Sequence, residues 1–170
     1  GHPPARPRML EFFAGGGLAC LGLSTRFDCV FANDIDAMKC AAYRANFPAH
    51  DLAEGDIWKL DATRLPDAEL AWASFPCQDL SLAGARKGLN APRSAAFFGF
   101  WTLIAELLKK DRAPRTLCLE NVAGLLSSRG GRDFHELVSR LAEGGYHVGA
   151  MVIDAQHFTP QSRPRLFVVA

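Results

Sequence analysis

A short apolar run, Met9 to Phe13, breaks into Ala14-Gly15-Gly16-Gly17 and then into a helical stretch from Leu18 to Arg26, with Leu18, Leu21 and Gly22 on one face. Few folds accept that order. Strand, glycine turn and helix open the βαβ unit of nucleotide-binding α/β domains, where glycines let the backbone approach a ligand closely. The alternation continues along the chain. Strands are predicted at Asp28 to Asn33, Leu70 to Ala73, Thr116 to Leu119, Tyr146 to Ile153 and Leu166 to Ala170, with a short segment closing at Glu54-Gly55-Asp56-Ile57. Helices are predicted at Asp36 to Phe47, with Asp36 as its cap, at Ala95 to Lys110 and at Phe134 to Leu141. Such alternation predicts an α/β fold with a doubly wound, mostly parallel sheet of about six strands and helices on both faces. The last strand should be antiparallel or lie at an exposed edge. The glycines do not follow the G-x-G-x-x-G spacing, so a pyrophosphate is not indicated, and a tight turn without ligand accounts for the triplet alone equally well.

Composition narrows the class. At 170 residues and 49% apolar, the chain is expected to form one domain that buries roughly 70% of its unfolded surface. No apolar run reaches membrane-spanning length and no signal-like segment opens the chain, so no membrane association is expected. Residues 1–8, rich in proline and arginine, look like a tag remnant or loose arm, leaving 9–170 as the folded unit. The five cysteines are odd in number and form no C-x-x-C pair. Neither a disulfide framework nor a metal site is indicated, and a reducing cytoplasm fits best. A net charge of +1 gives no global nucleic-acid footprint, so any basic surface must be local.

The chemistry-bearing residues fall at the predicted strand ends. Ser74-Phe75-Pro76-Cys77-Gln78-Asp79 follows the fourth strand. Pro76 ends the ladder and holds Cys77 in a rigid turn, a good place for a nucleophile if the thiolate is favoured nearby. The alternative is a small buried hydrophobe. Asp34, at the end of the second strand and roughly 20 residues past the glycine turn, stands where a ribose diol is gripped, or else merely starts a helix. Asp56 and Ile57 offer an acid and an aliphatic face to an adenine, although Gly-Asp is also a plain turn. The long segment Leu80 to Ser94 carries Arg86, Lys87 and Arg93 and reads either as a basic lid or as a solvated loop. The aromatics of Ala95 to Lys110 read as core. Glu120, just beyond a buried strand, is a candidate to protonate or hydrogen-bond a substrate nitrogen. Arg163 and Arg165 share one face where the last strand begins and can clamp an oxygen or phosphate, or be plain surface residues.

In order, Phe13-Ala14-Gly15-Gly16-Gly17, Asp34, Gly55-Asp56-Ile57, Phe75-Pro76-Cys77-Gln78, Glu120-Asn121-Val122 and Gln161-Ser162-Arg163-Pro164-Arg165 resemble the ordered motifs of C5-cytosine DNA methyltransferases. The resemblance runs from about Met9 to the last residue and includes a catalytic-loop-like stretch from Ser81 to Phe98. It implies a Rossmann-like S-adenosylmethionine-dependent fold, with S-adenosylhomocysteine as product. Cys77, Glu120, Arg163 and Arg165 are implied as catalytic. Phe13, Ala14, Gly15, Gly16, Gly17, Asp34, Ile35, Asp56, Ile57 and Pro76 are implied as cofactor-binding, with Phe13 and Ile57 sandwiching adenine, Asp34 on the ribose and Asp56 on the amine. The implied substrate is double-stranded DNA whose target base is flipped out, in a restriction-modification setting of bacterial or phage origin.

Two departures from the family pattern stand out. Glu11 replaces the Asp that usually precedes the first motif. The chain also stops after the Gln-x-Arg-x-Arg strand, so the family's target-recognition domain, later structural motif and final helix are expected to be missing. The expectation is a truncated product or one subunit of a split enzyme whose second subunit carries target recognition. A cofactor-binding fragment without turnover is the alternative. A nicotinamide oxidoreductase is disfavoured by the glycine spacing, and the Cys-Phe-Thr tripeptide typical of the tRNA-methylating branch is absent.

Overall fold

Strands and helices alternate as the sequence pattern requires. A computed structural model describes residues 5–76 and 96–170. Its strands are β1 (Arg8–Phe12), β2 (Asp28–Asp34), β3 (Leu52–Glu54), β4 (Leu70–Ser74), β5 (Thr116–Val122), β6 (Gly149–Asp154) and β7 (Pro164–Val169). Its helices are α1 (Leu18–Leu23), α2 (Ala37–Asn46), α3 (Ala96–Lys109) and α4 (Arg132–Glu143). The seven strands form one sheet in the order β3-β2-β1-β4-β5-β7-β6. The first five strands pair in parallel, and β7 runs antiparallel between β5 and β6. This is the doubly wound, mostly parallel sheet that the sequence pattern predicts, with seven strands in place of about six. Among the described residues no helix is long and apolar enough to cross a membrane.

The main core lies on one face of the sheet. Leu10, Phe12, Phe31, Ala71, Ala73, Leu117, Leu119, Leu166 and Val168 meet Phe97, Phe100, Leu103, Ile104 and Leu107 of α3 and Leu137 and Leu141 of α4. The apolar α3 of the sequence reading is therefore core. The opposite face is thinner, with Met9, Leu70 and Cys118 buried and Trp72, Phe167 and Val169 only partly covered.

Boundaries differ where tertiary contacts decide them. α1 stops at Leu23, where the Ser24 hydroxyl donates to the Leu21 carbonyl at 2.8 Å and competes with the helical ladder. Its predicted apolar face points outward, with Leu18 and Leu21 79% and 59% exposed, while Cys20 turns inward. β5 extends through Val122 because Glu120, Asn121 and Val122 pair with Phe167, Leu166 and Arg165. β6 starts late because Tyr146 leaves the sheet, its hydroxyl donating to the Pro114 carbonyl at 2.8 Å.

Gly17 shows why the opening turn needs glycine. It caps α1 at φ +85°, and an added Cβ would overlap the Phe47 ring and stand 2.9 Å from Tyr43 Cε2. Gly17→Ala should lower stability by about 2–4 kcal/mol, from left-handed strain and overpacking together. At Gly16 an added Cβ meets nothing within 4 Å, so Gly16→Ala should shift the urea midpoint little. Equal midpoint shifts in the two variants would contradict this packing.

Candidate functional site

β1, β2, β4 and β5 end at the same edge of the sheet. After β1, Phe13 adopts φ 55°, a left-handed conformation that costs a non-glycine residue of order 1–3 kcal/mol and persists only where surroundings enforce it. Here the Ala14 amide donates to the Asn33 carbonyl at 3.0 Å, and the Phe13 ring meets Phe75 edge-on at 6.3 Å. The turn is closed by Asp34, whose Oδ2 accepts from the Gly15 amide at 2.8 Å and whose Oδ1 accepts from the Asp36 amide at 2.9 Å. A carboxylate has about four acceptor positions, so capacity for a diol remains. An added Cβ at Gly15 or Gly16 meets nothing within 4 Å, leaving open space over the turn. Open backbone beside a buried carboxylate fits an adenosyl ligand.

A second loop sits beside this turn. The buried Asn33 amide donates to the carbonyls of Ala53 and Gly55, at 2.8 and 3.0 Å, and so fixes the chain leaving β3. Asp56 Oδ1 accepts from the Trp58 amide at 3.0 Å and caps a single 3-10 turn. Ile57 is 5% exposed and packs on Gly99 of α3, so it forms part of the core wall, whereas Ile35 is 63% exposed at the rim.

At β4 and β5 the chain is tied just ahead of the predicted nucleophile. Phe75 is buried, and its carbonyl accepts from Asn121 Nδ2 at 3.0 Å. Pro76 is exposed, and Cys77 lies outside the described residues, as do Arg86, Lys87, Arg93 and the rest of the predicted basic segment. Glu120 and Arg165 come together across β5 and β7, with Nε 3.3 Å from Oε1 and both side chains about three-quarters buried. Arg163 is placed differently. Its backbone amide donates to Asp154 Oδ1 at 2.7 Å, while Asp154 Oδ2 accepts from the Ser162 hydroxyl at 2.9 Å. The amides of Gln156 and Arg163 hold the Asp154 carboxyl below its usual range. Thus Glu120, Arg165 and the glycine turn share one edge, and Arg163 lies on the neighbouring turn. The sequence reading gave no role to Asn33, Asn121 or Asp154, whose hydrogen bonds exist only once distant strands are paired.

Behind the glycine turn lies a group that short-range spacing does not reveal. Cys20, Cys29 and His50 bring their ligand atoms within 4.8 Å of one another. Burial pushes the Cys20 thiol up to about 12 and raises that of Cys29. Glu11 on β1 is 2% exposed, and burial raises its carboxyl from 4.5 to about 7, partly offset by the backbone N–H groups of Cys20 and Ala19. The fold therefore prefers protonated Glu11. That preference is fully expressed below the ordinary value and is lost as pH rises through about 7. In chelator-treated protein, wild-type stability should fall by on the order of 3 kcal/mol between about pH 4.5 and pH 8 on account of this group. Glu11→Gln should remove that slope in denaturant titrations, and an unchanged slope would place the titration elsewhere.

Comparisons with known proteins agree with one another. The family profile described as "C-5 cytosine-specific DNA methylase" matches residues 7–170. Type II methyltransferase M1.ScrFI of Lactococcus lactis subsp. cremoris is 35% identical over 168 residues, covering 97% of this chain and 41% of that protein. Type II methyltransferase M.NlaX of Neisseria lactamica is 35% identical over 166 residues, covering 95% of this chain and 51% of its own length. The crystal structure of S. pombe Dnmt2 methyltransferase superposes with a TM-score of 0.80 at 26% identity, covering 96% of this chain and 50% of that one. The chain thus spans about half or less of the length of these relatives.

Proposed function

The chain belongs to the C-5 cytosine-specific DNA methylase family, and on that premise we propose that it transfers a methyl group from S-adenosylmethionine to C5 of cytosine in DNA through a covalent adduct on Cys77. We further propose that residues 9–170 are the cofactor-binding catalytic domain and that further polypeptide supplies DNA recognition. The observation that carries the reading is the Glu120–Arg165 pair, held on strands beside the Asn121–Phe75 tie that leads into Cys77.

Cytosine C5 is too weak a nucleophile to take a methyl group unaided. Bound S-adenosylmethionine supplies an electrophilic methyl on sulfonium. Cys77 thiolate adds to C6, which gives C5 the electron density of an enamine and makes it the attacking atom. Glu120 holds N3 and the exocyclic amine as charge develops, and Arg165 binds O2. Their mutual ion pair sets both side chains before the base arrives, so little reorganisation is left for the reaction. Arg163 helps set the cysteine loop. A base then takes the C5 proton and the Cys77 sulfur departs with the electrons of its bond to C6. For the cofactor, Phe13 and the turn Ala14-Gly15-Gly16-Gly17 provide the floor, Asp34 the ribose acceptor, and Asp56 the amine acceptor. Ile35, Ile57 and Pro76 form the walls.

Three observations support a requirement for further polypeptide. The relatives are about twice as long. The net charge of +1 leaves few cations to hold a duplex. The exposed Leu18 and Leu21 and the half-covered Trp72 and Phe167 are apolar surface that a partner segment would bury.

Calorimetric titration with S-adenosylhomocysteine should show binding, weakened in Asp34→Ala by about 1.5–3 kcal/mol through loss of charge-assisted hydrogen bonds. Unchanged affinity would put the ribose elsewhere. Radiolabelled methyl transfer to duplex DNA should be essentially nil for the chain alone and should emerge when the recognition polypeptide is added, because flipping a base costs a few kcal/mol that a lone loop does not offset. Cys77→Ser should abolish that transfer and keep cofactor binding. Robust Cys77-dependent transfer by the lone chain would refute the need for a partner, and cofactor binding with no transfer under any pairing would leave a binding-only fragment.

A further inference from the structure

Four potential metal-ligand atoms from separate segments converge behind the glycine turn. Cys20 Sγ comes from α1, Cys29 Sγ from β2, Tyr43 Oη from α2 and His50 Nδ1 from the connection between α2 and β3. Cys20 Sγ stands 3.7 Å from His50 Nδ1, Cys29 Sγ 3.5 Å from Tyr43 Oη, and Tyr43 Oη 3.1 Å from His50 Nδ1. Tetrahedral sites with metal–sulfur bonds near 2.3 Å and metal–nitrogen bonds near 2.0 Å place neighbouring ligand atoms about 3.3–3.8 Å apart. The Cys20–His50 and Cys29–Tyr43 separations fall in that range, the Tyr43–His50 separation is shorter at 3.1 Å, and the ligand atoms of Cys20, Cys29 and His50 all lie within 4.8 Å of one another.

We propose that Cys20, Cys29 and His50 bind a thiophilic divalent cation of the zinc type, with Tyr43 Oη at the fourth vertex. Sulfur with imidazole nitrogen in tetrahedral array selects such an ion over magnesium or calcium, which take oxygen ligands in larger number. A second observation points the same way. Glu11 shares the face of β1 with Met9, which packs near Cys29, and its buried Oε2 has no hydrogen-bond partner. That orphaned acceptor lies in the same buried layer as Met9 and Cys29.

The ligands are held in advance. The His50 ring stacks on Phe47 with centroids 4.8 Å apart and planes 17° apart, and Tyr43 lies against the same ring at 5.1 Å. Gly17, lacking Cβ, leaves room for both aromatics. Cys29 and His50 are only half-buried, which leaves an entry route. On binding, the two thiols give their protons to solvent, and the neutral imidazole donates its Nδ1 lone pair. The ion would join α1, β2 and the start of β3 behind the Gly15–Asp34 hydrogen bond. Its role there is to stiffen the half of the sheet that shapes the cofactor turn, with no part in methyl transfer.

The test uses the full untagged chain, reduced and stripped with chelator, then titrated with Zn²⁺ by calorimetry and with Co²⁺ by absorption. One ion per chain and thiolate-to-cobalt charge-transfer bands of a tetrahedral centre are expected. Cys29→Ser and His50→Ala should each weaken Zn²⁺ binding by at least about 100-fold, while Cys118→Ser and Cys77→Ser bind as wild type. Should Cys29→Ser fail to fold, His50→Ala alone decides the matter, since its side chain lies on a surface connection. Sub-stoichiometric binding to the wild type, or affinity unchanged in His50→Ala, overturns the assignment.

Discussion

The hydrogen bond from Asn121 Nδ2 to the Phe75 carbonyl, 3.0 Å long and buried, fixes where β4 stops and in which direction the chain leaves the sheet. Strand ladders satisfy backbone groups only while strands continue. A chain that turns out of a parallel sheet at its buried edge leaves carbonyls without partners, each costing about 1–3 kcal/mol. Asn121 supplies one missing donor, and Asn33 supplies two more, to Ala53 and Gly55. With these amides in place, sharp turns at neighbouring strand ends can open onto one edge without orphaned backbone. The Asp56 loop and the segment leading into Cys77 depend on that satisfaction, while the Phe13 turn is held by the Asn33 backbone carbonyl and Asp34.

Charge at this edge is arranged on the same principle. Asp34 spends part of its carboxylate on the Gly15 and Asp36 amides, which sets its orientation before a ligand arrives. Glu120 and Arg165 hold each other across two strands, and Asp154 gathers the turn carrying Arg163. Partly exposed ion pairs add little to stability, commonly under about 1 kcal/mol. On the proposed function their contribution is position, since groups fixed in advance need not reorganise when charge develops on a bound base.

Local pattern revealed much of this. The apolar runs, the glycine turn and the capping Asp36 located the strands and helices, and alternation with glycine at the first turn gave the doubly wound sheet. Boundaries failed where partners decided them. Glu120 to Val122 read as lying just beyond the strand and belong to it because β7 pairs with them. Ile57 also packs on Gly99, a contact between segments that no spacing rule connects. Tyr146 read as strand and is drawn away by the Pro114 carbonyl. The Cys20–Cys29–His50 group escaped notice because metal motifs are recognised by short repeats, and these residues meet only after β2 has paired with β1 and α2 has folded back. Cys77 was the most legible residue of the proposed chemistry, and it lies outside the described residues.

The central claim is that Cys77 forms a bond to C6 of cytosine while Glu120 and Arg165 hold the ring. Trapping on a short duplex with 5-fluorocytosine mispaired in place tests it most directly. The mispaired base is already partly unstacked, which lowers the cost of flipping it. Fluorine at C5 leaves no proton to remove after methyl transfer, so the thioether persists and accumulates over long incubation. The account predicts a covalent mass increase on the Cys77 peptide, dependent on S-adenosylmethionine and lost in Cys77→Ser and Glu120→Gln. An adduct on another cysteine, or none in protein that binds both cofactor and oligonucleotide, would contradict it.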